Sequence, residues 1–321
     1  MSERISVRQV DVLVVGGGPA GLAVARAIAA PGRAAAPGVG VRVEVLEREE
    51  TAGGVPRHCA HRGFGPCGAL TGPASAARGV AAALAAGVTV RTGVTVTGWA
   101  GPRTVRTTSP HGLEEITARA VVLATGARER PRAARLVAGT RPAGVLTTGE
   151  LQQSVHLFGR GAGDRAVVVG AEPVGYAALD TLRRAGTRCV AITTHLAQAP
   201  APWHRTAPSR LRHGVPLLTG TTVTEILGHG RVTGVRVTRA GTGRTAHLSC
   251  DTVVFSGDFV PEWELGRRAG LAAAGGFRTT RPGIFVVGNV VGDVRSARAV
   301  EREGVRAARE VQGWILSPSG V

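Results

Sequence analysis

The chain has no lysine, so its net charge of +17 rests wholly on arginine. Aromatic residues are almost as scarce, at 3% of 321 residues with a single Tyr. Nucleic-acid binders cluster their cations and stack bases on aromatic faces. Here the arginines are scattered without a block, which excludes that class. Arginine without lysine amid so much Ala, Gly and Val reads as a coding bias, and the excess charge suits anionic cofactors or an acidic partner. Cysteine is rare too. Cys59, Cys67, Cys189 and Cys250 make no disulfide framework in a chain of this length, and no two of them form the C-x-x-C of a redox pair. No run reaches the ~20 apolar residues that a membrane span needs. The first apolar stretch, residues 10–30, offers no small-residue cleavage site and is not a signal peptide. These absences predict a soluble cytoplasmic protein. The length, 43% hydrophobic content and 47 glycines predict two α/β domains.

The strongest positive signal lies in residues 10–30. Residues 11–15 form a β-branched run suited to a buried parallel strand, and Gly16, Gly18 and Gly21 follow in G-x-G-x-x-G spacing, with Pro19 and Ala20 inside the turn. An alanine-rich helix is expected over residues 22–30. Gly16 allows the tight turn, Gly18 leaves room for a pyrophosphate, and Gly21 lets helix and strand pack closely. The helix N-terminus then faces the phosphates with free N–H groups. The next strand, residues 41–46, runs into Glu47 and Arg48. Glu47 is placed to accept hydrogen bonds from a ribose 2′-OH, or else is a solvated strand-end charge. Residues 31–40 read as an expanded surface loop that lengthens the spacing to this acid.

After it come Gly53 and Gly54. The order G-x-G-x-x-G, Glu47-Arg48, Gly53-Gly54 resembles the FAD-binding start of the two-dinucleotide-domain flavoproteins, the pyridine nucleotide-disulfide oxidoreductase superfamily that includes thioredoxin and glutathione reductases. Residues 53–65, with Arg57, His58, Cys59 and His61, resemble one branch more closely: the FAD-binding subunits of opine oxidases, hydrogen cyanide synthase and related amine dehydrogenases, with heterotetrameric sarcosine oxidase more distant. In that superfamily the residues after this Gly-Gly lie against the isoalloxazine ring. The resemblance therefore makes Arg57, His58, Cys59 and His61 the candidate catalytic groups, and a histidine there is able to titrate near neutral pH. Read without the resemblance, the same segment is a loop that only packs. The spacing of His58, Cys59, His61 and Cys67 fits no structural zinc pattern, and no metal is expected.

Further on, Thr71 or Ser75 is expected to cap a helix over residues 76–86, and residues 88–107 hold short alternating strands, the β-meander of such FAD domains. Residues 121–126 close a buried strand on Ala124-Thr125-Gly126, the turn that leads to a second domain in these flavoproteins. Residues 128–165 read as a long connection in which Arg128, Arg130 and Arg132 are either solvated charge or cofactor contacts. Near the C-terminus, residues 280–289 resemble the second FAD fingerprint, with Gly288 and Asn289 where relatives carry Gly-Asp. Asp293 is the nearby alternative acid. A final helix is expected over residues 297–316, its N-terminus pointing at the flavin's pyrimidine edge in relatives.

A second strand–turn–helix over residues 166–185 breaks the pattern. Gly170 and Gly175 are present, but Glu172 takes the middle glycine's place, and no carboxylate ends the next strand, which runs into Thr193, Thr194 and His195. NAD(P)H binding there stays open. Cys189 and Cys250 read as inert core residues.

The expected fold is thus α/β, two Rossmann-like doubly wound domains in a thioredoxin-reductase-like arrangement with a small β-meander. The FAD-binding domain spans 1–126 and 256–321, interrupted by a second dinucleotide domain, 127–255. FAD is the expected cofactor. The leading function is FAD-dependent oxidation of a C–N bond in a small amine or amino acid, or transfer of those electrons as a subunit beside a second flavoprotein; a homodimer is the other assembly. Typical relatives carry a cysteine-rich C-terminal extension that this sequence lacks, which leaves a stand-alone enzyme open. The alternatives are an NAD(P)H-dependent flavin reductase and a non-catalytic flavin-holding scaffold.

Overall fold

The computed structural model describes residues 5–30, 40–201 and 214–317. Nearly all of the expected 31–40 loop lies outside them. The chain divides into two compact units: residues 1–57, 62–128 and 261–321 make the first, residues 58–61 and 129–260 the second.

The first unit opens with β1 (Ser6–Val15) and α1 (Pro19–Ala29). Then come β2 (Val43–Leu46), α2 (Gly72–Ala85) and β3 (Thr89–Arg91). The helix α2 begins four residues before its expected start, because Pro73 suits a first helical turn. Thr71 holds the cap position, but its side chain makes no capping hydrogen bond. A meander follows: β4 (Thr95–Gly101), β5 (Thr104–Ser109) and the long β6 (Gly112–Leu123).

In the second unit the expected connection 128–165 has structure of its own. A short helix, Arg132–Arg135, precedes β7 (Val145–Thr147) and α3 (Thr148–His156). A capping box fixes the start of α3: Thr147 Oγ1 accepts from the Glu150 N–H, and the Glu150 carboxylate accepts from the Thr147 N–H at 2.7 Å. Next are β8 (Arg165–Val169), α4 (Pro173–Arg184), β9 (Arg188–Thr193) and β10 (Leu217–Leu218). An antiparallel trio, β11 (Thr221–Leu227), β12 (Gly234–Arg239) and β13 (Thr245–Ser249), leads to β14 (Thr252–Phe255). The parallel sheet of this unit has the order β7-β14-β8-β9-β10. Its strands read as near-continuous apolar runs because both faces are covered.

The chain returns to the first unit with β15 (Ile284–Val286) and α5 (Ala297–Leu316). The first sheet has the order β3-β2-β1-β6-β5-β4, with β15 also paired to β6. Strands β3, β2, β1, β6 and β15 run parallel, while β4, β5 and the first half of β6 are antiparallel. Alternation along β1 sorts its side chains: Val12 and Val14 pack with α1 and α5, whereas Leu13 and Val15 pack with the meander side. Val15 pairs with Leu46 and Leu123, and Leu123 with Val286. Four strand ends are thereby level, and the residues that follow them share one edge of the sheet. That edge, where strand order reverses about β1, is where doubly wound sheets bind ligands.

Candidate functional site

At that edge the Gly16 N–H donates to the Leu46 carbonyl at 2.8 Å and the Ala124 N–H to the Val15 carbonyl at 2.8 Å. Gly16 has φ +110, and a Cβ there would overlap the Ala124 carbonyl oxygen; no other residue makes this turn without strain. A Cβ on Gly21 would overlap the Gly16 carbonyl, so the third glycine sets the approach of α1 to the turn. Gly18 differs from both. A Cβ built on it meets only the Gly54 Cα, at 3.9 Å. The protein leaves the space over Gly18 open, beside the N-terminus of α1 where Pro19 and Ala20 begin the helix and no side chain caps it. This is an anion cradle: backbone donors at a positive dipole end, with no side chain over the middle glycine. It fits the pyrophosphate of a dinucleotide.

The surrounding residues close on the cradle. Gly53 donates its N–H to the Gly17 carbonyl at 2.8 Å, and a Cβ on Gly54 would stand 2.8 Å from the Gly18 Cα. Glu47 is buried; one carboxylate oxygen accepts from the Gly17 N–H and the other from the Glu49 N–H, both at 3.0 Å. A carboxylate has about four acceptor sites, so Glu47 keeps capacity for a ribose diol while the two backbone donors fix its orientation. Arg48 is exposed and lies 3.7 Å from Glu49 and 3.9 Å from Glu262. Thr125 Oγ1 donates to the Glu262 carbonyl at 2.7 Å, and Gly126 takes a positive φ of +81. Gly288 sits against α1, where a Cβ would stand 2.8 Å from the Ala20 Cβ. The Asn289 side chain closes a loop: its Oδ1 accepts from the Arg295 N–H at 2.9 Å, and its Nδ2 donates to the Arg295 carbonyl at 3.1 Å. Asn289 thereby positions the loop that enters α5, whose Ser296 cap accepts from the Ala299 N–H at 3.3 Å.

The second unit repeats the turn with a different filling. Gly170 has φ +121 and donates its N–H to the Thr193 carbonyl at 2.8 Å. A Cβ on Gly175 would overlap the Gly170 carbonyl, as at Gly21. But the Glu172 carboxylate folds back over the turn: Cβ positions on Gly170 and Gly257 would stand 2.6 and 2.9 Å from its atoms. Arg135 adds a positive field beside it, and donates to the Gly257 carbonyl at 2.7 Å while stacking 5.1 Å from the Phe255 ring.

Of the candidate catalytic residues, Arg57 belongs to the first unit and His58, Cys59 and His61 to the second. His58 and Cys59 are buried. Cys59 Sγ donates to Gln152 Oε1 at 3.4 Å, and its pKa is pushed up to about 12, first by burial and then by the nearby Glu129 charge. Cys67 is exposed, and all four cysteines are free thiols. Among the described residues no three His, Cys, Asp or Glu side chains converge as a metal site.

Three residues of this region escaped sequence reasoning. Gln152 and His156 lie one helical turn apart on α3. His156 Nε2 is 3.2 Å from Thr181 Oγ1, and burial, Arg184 and His61 together lower its pKa. Glu129 is half-buried, with its carboxylate accepting from the Gly149 N–H at 2.7 Å and the Gly257 N–H at 3.2 Å. Burial raises its pKa against those bonds and the Arg135 charge. The arginines of the same stretch are held by the protein: Arg128 pairs with Glu262 and Glu264 at 3.1 and 3.0 Å, Arg130 with Asp258 at 2.9 Å, and Arg132 donates to the Thr140 carbonyl.

Residues 10–304 match the family model of the pyridine nucleotide-disulphide oxidoreductases. Over 272 residues the chain is 30% identical to sarcosine oxidase subunit alpha of Corynebacterium sp. (strain U-96), which covers 78% of this chain but only 26% of that one. The fold superposes on thioredoxin reductase of T. acidophilum with a TM-score of 0.80 at 20% identity, covering 97% of this chain and 100% of the other. L-proline dehydrogenase of P. horikoshii gives 0.70 at 19% identity, covering 98% of this chain and 56% of that one. None of the helices among the described residues is long and apolar enough to cross a membrane. The chain belongs to the pyridine nucleotide-disulphide oxidoreductase family.

Proposed function

We propose that this oxidoreductase removes electrons from a C–N bond of a small amine or amino acid, alone or as the flavin-bearing part of a larger assembly. The observation that carries the reading is the state of its cysteines. A thiol–disulfide reductase needs two neighbouring cysteines, one of them poised as a thiolate. Here Cys59 is a buried, protonated thiol bonded to Gln152, and Cys67 stands exposed beyond the strand Arg62–Phe64. The similarity to sarcosine oxidase subunit alpha supports amine chemistry in place of thiol chemistry.

When bound, FAD supplies a two-electron acceptor for the hydride lost from the carbon next to nitrogen. The residues of the first unit suit holding it: the open space over Gly18 for the pyrophosphate, Glu47 for the ribose, and the N-terminus of α5 for negative charge. An amine must be neutral at nitrogen before it gives up hydride. His58 and His61 carry the imidazoles of residues 57–61, whose ring nitrogens are the acceptors offered to that proton. Arg57 supplies positive charge for a substrate carboxylate. The test is anaerobic mixing with secondary amines and N-alkyl amino acids, followed by product analysis. The amine loses hydride and a proton to become an imine, which water hydrolyses, so a carbonyl compound and an amine, formed in proportion to flavin reduced, are expected. Reduction of disulfides at the expense of NADPH would overturn the reading.

A subunit role has one observation in its favour: the relative that is 30% identical is itself a subunit, sarcosine oxidase subunit alpha. On that reading amine reduces the flavin only when a partner flavoprotein is present.

A further inference from the structure

The two cradles of this chain are built alike and differ at one point. In each, the first glycine turns at positive φ after a parallel strand, and the third meets that glycine's carbonyl so closely that no Cβ fits. In each, the middle position opens a helix whose first turn carries a proline and no side-chain cap. Over Gly18 the space is open. At the corresponding position of the second unit stands Glu172, with its carboxylate turned back against Gly170 and Gly257.

We propose that Glu172 is a tethered anion that fills the pyrophosphate position of the second cradle and keeps pyridine dinucleotides out of this unit. Four observations converge on it. The Glu172 carboxylate lies where Gly170 and Gly257 bring backbone close, with Cβ positions at 2.6–3.2 Å. Its Oε2 is buried and has no hydrogen-bond partner among the described residues. Arg135, whose guanidinium is held by the Arg130 and Gly257 carbonyls at 2.8 and 2.7 Å, shares its positive field among Asp258, Glu129 and Glu172. Finally, β9 ends at Thr193 and is followed by Thr194 and His195, so the strand tip offers a ribose diol no carboxylate, and Thr194 Oγ1 already accepts from the Leu196 N–H at 3.3 Å.

Physically, a dinucleotide entering this cradle meets a carboxylate where its phosphates must go. It would have to displace that side chain from Gly170 and Gly257 at the positive end of α4, the feature that would otherwise attract the phosphates. This is exclusion by a built-in competitor: the fold of a dinucleotide domain is retained while its ligand is rejected. The inference concerns binding to the second unit and does not depend on which amine, if any, reduces the flavin.

The test uses the flavin-loaded full chain and ADP-ribose, which carries the adenosine, pyrophosphate and ribose of NAD but no redox chemistry. Binding is read by calorimetry. The wild-type protein is expected to show no saturable binding at micromolar to millimolar ADP-ribose, and E172G to bind at least about tenfold more tightly than wild type. If E172G does not fold, E172A carries the same test, since it deletes the carboxylate and keeps a Cβ. Micromolar binding by the wild-type protein would overturn the proposal. So would a variant with the native flavin spectrum and melting temperature that binds no better than wild type.

Discussion

Gly18→Ala separates cofactor binding from folding. Gly18 has φ −81 and ψ −176, an extended conformation that alanine adopts freely, and the added Cβ would meet only the Gly54 Cα at 3.9 Å, an ordinary van der Waals distance. The apoprotein therefore has nothing to clash with, and its stability should change by less than about 0.5 kcal/mol. With FAD present the same methyl points into the space the pyrophosphate uses. Overpacking of this kind costs about 1–3 kcal/mol, which is a loss of roughly 5- to 150-fold in affinity. Gly16→Ala and Gly21→Ala are the contrasting controls: each Cβ would overlap a backbone carbonyl, and Gly16 also sits at φ +110. Both should destabilise the apoprotein itself, by about 1–3 kcal/mol or more. Urea unfolding of the flavin-free proteins and fluorescence titration with FAD give the two readouts. Wild-type FAD affinity in Gly18→Ala would refute the assignment of the pyrophosphate to this turn, and a destabilised apoprotein would refute the geometry.

Two further outcomes follow from the burial of single side chains. At about pH 8, a Cys59 thiol of pKa about 12 is ionised to only about one part in ten thousand, and burial raises Cys189 and Cys250 to about 12 and about 11. Iodoacetamide should label Cys67 alone in the folded protein, as read by peptide mass spectrometry; rapid labelling of Cys59 would contradict its burial. Burial holds the Glu129 carboxyl above its ordinary value of 4.5. A group raised in the folded state contributes stability below its unfolded pKa and loses it as pH rises through the folded one. Glu129→Gln should therefore gain in stability relative to wild type as pH rises from about 4 to about 8. A melting-temperature difference that does not vary with pH would sink this account.

How much was legible follows from where each signal lies. The first cradle was readable because its parts are local: a β-branched strand, glycines at 16, 18 and 21, then a helix, with Glu47 ending the neighbouring strand. The helix α5 spans the predicted residues 297–316, since its apolar positions recur at helical spacing over five turns and Ser296 caps it. Helix α3 was missed within a supposed connection although its capping box, Thr147 and Glu150, is a local signal. Glu129 was not legible, because a carboxylate becomes notable only when the fold buries it beside the N-terminus of α3. Asn289 stands where relatives carry the Asp of their second fingerprint; that both its side-chain atoms close a loop on Arg295 depends on a turn no spacing rule announces. Glu172 was visible as a broken motif, but the direction of its carboxylate, back over Gly170, needed coordinates.

The most direct test of the account is anaerobic reduction of the bound flavin, followed in its main visible absorption band, with NADH, NADPH and a small secondary amine added to separate samples. The account predicts that the amine bleaches the band, alone or with a partner flavoprotein present, and that neither nicotinamide nucleotide does so on the same timescale. Rapid bleaching by NADH or NADPH with none by any amine would contradict it, and would make this chain a nucleotide-driven reductase in spite of Glu172.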